Sequence, residues 1–266
     1  MTVDFATRLR ARETVVGYWM TSDNPIATER VARAGFDYVG LDMQHGLIGY
    51  AGCVRGLTAI DAAGAAGAVR VPSNDASWIG RVLDAGARAV IVPLVNSAAE
   101  AARAASACRY PPVGIRSYGP MRSALRIGPN PRQADESVAC IVMIETQQGL
   151  DSVEAICAIP GVDAVYIGPS DLALALGGDQ PSAAATLPGF EPALERVRTV
   201  AKKAGIAVGF HCPNGQAAAG ALAAGFTMVT ISNDLNHLEA AAASHLAAAR
   251  GPTPRGETDD ANSGYS

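Results

Sequence analysis

A chain of 266 residues, 49% hydrophobic and 17% charged, can bury one large α/β core or two small ones. Its net charge of −4 and the lack of any Lys/Arg run exclude an electrostatic footprint for nucleic acid or an anionic membrane, so small-molecule partners are expected. The N-terminal "MTVDFATRLRARETVVGYWM" lacks an apolar signal core and no apolar run reaches a spanning length of about 18 residues, which predicts a cytoplasmic protein. Cys53, Cys108, Cys140, Cys157 and Cys212 are odd in number and widely spaced, without a C-x-x-C pair, and read as reduced core thiols.

Along the chain, strands are predicted near 14–18, 37–42, 67–71, 89–94, 139–145, 163–167, 206–210 and 227–231. Four segments set the rhythm: "VARAGFDYVGLD", "LDAGARAVIVPLV", "AKKAGIAVGF" and "LAAGFTMVTIS". In each, an Ala-rich amphipathic stretch meets a glycine that can end a helix in the left-handed conformation, and an apolar strand follows. Eight strands alternating with helices in about 250 residues predict a (β/α)8 TIM barrel; an open doubly wound sheet competes, but no G-x-G-x-x-G follows the first strand. One barrel domain is expected over 1–250, followed by a disordered tail over 251–266, "GPTPRGETDDANSGYS", which is almost free of large apolar residues. Two Pro/Gly-rich departures from the rhythm, 110–137 and 172–190, are long enough to be functional loops.

A TIM barrel gathers its chemistry at the C-terminal ends of its strands. The second strand ends at Asp42, Gln44 and His45, which no packing argument explains; the third ends at Arg70, the fifth at Glu145 and the seventh at His211. The sixth runs into "IGPSDL", with Asp171. Glu145 and Asp171, from consecutive strands, suit a hard divalent cation such as Mg²⁺ or Mn²⁺. "GPSD" opens a helix whose free N–H groups could hold a carboxylate, although Ser and Asp are also ordinary N-caps. Arg70 and His45, each alone as consistent with a salt bridge or a loop histidine, gain weight from sharing one rim with the carboxylates; His211 carries less weight. The only lysines, Lys202 and Lys203, end a solvent-facing helix, so imine chemistry is not expected. Neither G-x-S-x-G nor a Walker A motif occurs. The remaining reading is metal-assisted chemistry on a small 2-oxo acid, with the cation and Arg70 stabilising an enolate and His45 moving the proton.

The chain resembles the HpcH/HpaI class II pyruvate aldolases through "FDYVGLDMQHG", "AVRVP", "LDAGARAVIVPLVNSAAEA", "RYPPVGIRS", "MIET", "AVYIGPSDLALALG" and "ISND", which fall in family order to about residue 248. The resemblance implies a barrel of the PEP/pyruvate-binding type, assembled as a homohexamer (a trimer of dimers) with the last helix exchanged between subunits. It also implies a metal-dependent lyase joining or parting pyruvate and an aldehyde at the C3–C4 bond of a 4-hydroxy-2-oxo acid, with Co²⁺ as a further candidate ion. Carried over by position, His45 is the base, Arg70 the transition-state stabiliser, Asp84 the carboxylate that raises the basicity of the histidine, and Glu145 and Asp171 the metal ligands. Gly168, Pro169, Ser170 and Asp171 form the pyruvate carboxylate site, with Met143 and His211 lining the substrate pocket. Gln44 and Met143 depart from the Glu and Gln that many members have at these positions. Two rivals remain at this stage: a citramalyl- or malyl-CoA-type lyase, and a non-catalytic binding homologue. Arg116, Arg122 and Arg126 on the long loop are candidates for the nucleotide of the first, or for the distal carboxylate of a dicarboxylic substrate.

Overall fold

The structure, a computed structural model, describes residues 4–180 and 186–251. Eight parallel strands, β1 (Val15–Met20), β2 (Tyr38–Asp42), β3 (Ala66–Arg70), β4 (Ala89–Val92), β5 (Ala139–Ile144), β6 (Ala164–Ile167), β7 (Ala207–Cys212) and β8 (Met228–Asn233), close in chain order into a barrel. Each lies within two residues of its sequence expectation at its start, because aliphatic runs buried on both faces have no competing solution. The junction glycines Gly35, Gly86, Gly205 and Gly225 all have φ between 76° and 103°, the left-handed geometry that the repeat required.

The described helices are α1 (Phe5–Arg10), α2 (Pro25–Ala32), α3 (Tyr50–Ala63), α4 (Ala76–Asp84), α5 (Ala98–Ala107), α6 (Pro131–Glu136), α7 (Gln147–Asp151), α8 (Val153–Cys157), α9 (Pro169–Ala175), α10 (Phe190–Ala204), α11 (Gly215–Ala223) and α12 (Asp234–Arg250). Side-chain caps start several of them: Asn24, Asp75, Asn214 and Asn233 each accept from backbone N–H groups of the first turn. No helix among the described residues is long and apolar enough to cross a membrane. The proposed tail lies outside the described residues beyond Gly251.

One apolar cluster joins the outer strand faces to the helices, and a second fills the barrel with Trp19, Tyr38, Ile91, Ile141, Met143, Tyr166 and Met228. The large rings fit only because facing positions are empty: a Cβ on Gly40 would lie 2.7 Å from the Trp19 ring. The two buried phenols meet at Thr230, whose Oγ1 lies 2.6 Å from the Tyr38 hydroxyl and accepts from Tyr166 at 2.7 Å, so the interior holds its polar atoms paired. At the N-terminal end of the strands Phe5 packs on Tyr38, with ring centroids 5.4 Å apart, and buried Asp163 binds Arg10 at 2.7 Å and Arg109 at 2.9 Å. That end is stapled shut, and the other is left for chemistry.

Candidate active site

Period-two alternation delivers Trp19, Asp42, Arg70, Met143, Gly168 and His211 to the C-terminal mouth of the barrel. With Thr21, His45, Tyr166, Pro169, Ser170, Asp171 and Asn233 they line a cavity of about 270 Å³. Thus the structure brings together eight of the expected site residues: His45, Arg70, Met143, Gly168, Pro169, Ser170, Asp171 and His211.

Asp42 and Arg70 stand opposite each other in the β2–β3 register. Arg70 donates from Nε and Nη2 to the two Asp42 carboxylate oxygens at 2.9 and 2.6 Å, a bidentate pair that leaves Nη1 free of Asp42. Trp19 Nε1 donates to Asp42 at 3.3 Å, and the backbone N–H groups of Gln44 and His45 donate at 3.0 and 3.3 Å. Burial alone would raise the pKa of this carboxyl, but the Arg70 bonds, its charge and the backbone donors together hold it below the ordinary carboxylate value. Asp42 therefore fixes the guanidinium, which also lies 5.1 Å from the Trp19 ring centroid, and turns the loop that carries exposed His45.

Glu145 follows β5 directly and is 2% exposed. Its Oε1 accepts from the Leu94 N–H at 2.7 Å, a bond for which Leu94 adopts φ of 54°, uncommon for a non-glycine residue. Its Oε2 is buried with no hydrogen-bond partner, and a Cβ on Gly168 would approach that atom to 2.5 Å. Burial first, and then the nearby Asp171 charge, push the Glu145 carboxyl above its usual range against the opposing Leu94 N–H and Arg70. Asp171 is exposed in the first turn of α9. A buried, orphaned carboxylate oxygen facing a space that glycine keeps open, with a second carboxylate on the adjacent strand end, fits a hard divalent cation. Among the described residues no cluster of three or more His, Cys, Asp or Glu side chains forms, so such a cation would complete its shell with water or substrate oxygens.

Asp84 lies elsewhere. It ends α4, a helix that descends from the mouth, and pairs at 2.7 Å with Arg116 beside a separate cavity of about 350 Å³. The loop arginines share that distant end: Arg122 and Arg126 pair with Asp61, which closes α3 ahead of β3, at 2.6 and 3.5 Å. The 110–137 segment, whose arginines were candidates for a nucleotide or a distal carboxylate, joins a helix to the next strand and so lies at the end of the barrel opposite the mouth of its own chain. Sequence reasoning missed Asp42 as the anchor of Arg70. The available signal was an acidic strand end one strand away from an arginine strand end.

The model of the HpcH/HpaI aldolase/citrate lyase family matches residues 15–241. The chain is 42% identical over 233 residues to a hydroxypyruvate/pyruvate aldolase of Rhizorhabdus wittichii, covering 87% of this chain and 92% of that one. It is 37% identical over 236 residues to a 5-keto-4-deoxy-D-glucarate aldolase of Klebsiella pneumoniae, covering 87% and 90%. The crystal structure of an HpcH/HpaI aldolase/citrate lyase family protein from Burkholderia cenocepacia superposes with a TM-score of 0.85 at 34% identity, covering 92% of this chain and 98% of that one. A closed eight-stranded barrel with Arg70 and two carboxylates at its mouth, matched by these relatives over most of its length, places the chain in the HpcH/HpaI aldolase/citrate lyase family as a carbon–carbon lyase of the aldolase type.

Proposed function

We propose that the chain makes or cleaves the C3–C4 bond of a 4-hydroxy-2-oxo acid, with a 2-oxo acid of the pyruvate class as donor and an aldehyde as acceptor. The observation that carries this reading is the Arg70 guanidinium, held by buried Asp42 at the same mouth as the Glu145 and Asp171 carboxylates. In the cleavage direction His45 takes the C4 hydroxyl proton as the C3–C4 bond breaks, and the electron pair passes into the donor to leave an enolate and an aldehyde. Arg70, through Nη1, meets the negative charge growing on the C2 oxygen. His45 is exposed at the mouth, free to exchange its proton and to return one to C3. The donor carboxylate lies at the start of α9, where Gly168 and Pro169 lead into the Ser170 and Asp171 N–H groups and no side chain caps the helix. Glu145 and Asp171 would hold Mg²⁺, Mn²⁺ or Co²⁺, which when bound supplies Lewis-acid stabilisation for the enolate charge.

We further propose a cytoplasmic homohexamer, built as a trimer of dimers with α12 exchanged. Its support is that α12 buries none of its residues against its own barrel, leaving Leu238 and Leu246 66% and 50% exposed. Asp84 would then assist the His45 of a neighbouring copy, since its own His45 lies at the other end of the barrel. The test is to incubate the protein with pyruvate and a panel of aldehydes with and without Mg²⁺, following 4-hydroxy-2-oxo acid by NMR. Product that needs the cation is expected; thioester cleavage without any aldol product would reject the reading.

A further inference from the structure

Arg116, on the loop between α5 and α6, is 3% exposed although it carries a full charge. Its guanidinium lies 4.5 Å from the ring centroid of buried Tyr110, and Nη2 donates to Asp84 Oδ1 at 2.7 Å. The backbone beneath it is pinned to the end of α5, with the Ile115 N–H bound to the Ser106 carbonyl at 2.9 Å and the Arg116 N–H to the Arg109 carbonyl at 2.8 Å. A buried ion pair repays its desolvation only when the remaining donors are satisfied, and here Nε and Nη1 are buried without a hydrogen-bond partner. Stability alone does not account for this arginine. The Asp42–Arg70 pair shows how a carboxylate and a guanidinium lock each other in this molecule, with both oxygens engaged. At Asp84 only one is. Oδ2 bonds no other described residue, and a Cβ on Gly119 would stand 3.5 Å from it, so the glycine leaves its approach open. Arg81, one turn earlier on α4, turns onto the Tyr50 ring at 3.9 Å, which leaves Arg116 as the only described cation paired with this carboxylate. Burial pushes the Asp84 carboxyl above its ordinary range, and the Arg116 bond and charge oppose it.

We propose that Arg116 is a positioning residue for the reaction: it grips Asp84 by Oδ1 and so presents Oδ2 to the His45 of a neighbouring copy. The proposal rests on the reading above that Asp84 assists His45 across a contact between copies. Arg116 touches no substrate in its own chain, whose mouth lies at the other end of the barrel, and acts only through Asp84.

The test uses Arg116→Met, which fills the buried stem without leaving an unpaired polar group, and Arg116→Lys, which keeps the charge at shorter reach. Both are carried through the same measurements, with aldol product from pyruvate and an aldehyde followed in the presence of Mg²⁺. Arg116→Met should lower kcat at least about tenfold while the KM for pyruvate changes less than about twofold, and Arg116→Lys should regain part of the loss. A raised KM with kcat intact would overturn the proposal. Mixed assemblies then locate the defect. Combined with His45→Ala chains, either variant should rise to about a quarter of wild-type activity, the random share of sites that pair an intact His45 with an Asp84 still gripped by Arg116. Combined with Asp84→Ala chains, it should show no more than its own residual activity, because no chain then presents a gripped Asp84. A gain with Asp84→Ala chains would place the defect in the variant's own mouth and overturn the proposal. The mixture of His45→Ala with Asp84→Ala separates the two readings. Activity there, with no gain when the Arg116 variants meet His45→Ala, counts against Arg116 alone; no activity in either mixture removes the reading across copies and the proposal with it.

Discussion

Asp42 is held ionised in a place where burial would protonate it, and the reason is Arg70. Asn keeps one of the two acceptors, loses the charge and turns an NH2 toward the guanidinium, so Asp42→Asn should raise the donor KM and lower kcat, each by about tenfold or more. Equal losses with a mispositioned and a correctly positioned Arg70 would argue that the pair is only structural; the distinction is read from the KM for the 2-oxo acid against that for the aldehyde. Glu145 presents the opposite balance. Its pKa is raised on folding, so its favourable contribution, that of the protonated form, is present at acid pH and is lost as pH rises through the folded value. Glu145→Gln in chelated protein should therefore melt higher than wild type at neutral pH, with the difference vanishing below the ordinary glutamate pKa of about 4.5. Adding Mg²⁺ or Mn²⁺ should raise the Tm of wild type and not of the variant. A cation-dependent gain in Tm that survives in Glu145→Gln would place the ion elsewhere.

At the scale of elements, α12 is tied to the barrel at its first turn. Asp234 accepts from the Thr21 N–H and hydroxyl, both at 2.7 Å, and from the Ser22 N–H and hydroxyl, while His237 Nδ1 lies 2.8 Å from the Tyr18 hydroxyl. Burial would raise the Asp234 pKa, but the Ser22 and Thr21 bonds outweigh it and hold it below the ordinary value. A lowered pKa means stabilisation that is present above the unfolded value and is lost as pH falls through the folded one. The first turns of α12 should accordingly gain hydrogen exchange at acid pH, and Asp234→Ala should show the same loosening already at neutral pH. Unchanged protection in that variant would refute the tie. At this scale the sequence was most legible, since the Ala-Gly-aliphatic junctions located β2, β4, β7 and β8 with their four positive-φ glycines by a local rule, and apolar runs located the other four strands. The Asp42–Arg70 pairing was legible only as an acidic strand end next to an arginine strand end, because the register depends on how two strands align and not on either strand alone. The positions of Asp84 and the loop arginines were legible in principle: each lies at or beyond the C-terminus of a helix and before the next strand, which in a barrel means the end away from the mouth.

For the whole molecule, the separation of Asp84 from the mouth would tie activity to assembly if Asp84 acts on the His45 of a neighbouring copy, as proposed above. The face around it carries Val113, Ile115, Tyr118 and Met121, exposed by 75%, 65%, 59% and 89%, apolar surface of the kind that a second copy covers. If His45 and Asp84 act across that contact, co-assembled His45→Ala and Asp84→Ala chains, each inactive alone, should regain about a quarter of wild-type activity, the random chance that one site draws both intact residues. No recovery in mixed assemblies of normal size would leave Asp84 a structural partner of Arg116. Assembly and acceptor choice are both secondary to one chemical claim, that this mouth generates a 2-oxo acid enolate. The most direct measurement of it is the exchange of pyruvate's methyl protons for deuterium, followed by NMR after chelation and again with Mg²⁺ or Mn²⁺ restored, in wild type and in Arg70→Lys. Exchange is expected only with the cation, reduced at least about 100-fold in Arg70→Lys because an ammonium cannot reproduce the bidentate fork that Asp42 holds. Exchange that is indifferent to the cation or to Arg70, or none at all in wild type with the cation bound, would contradict it.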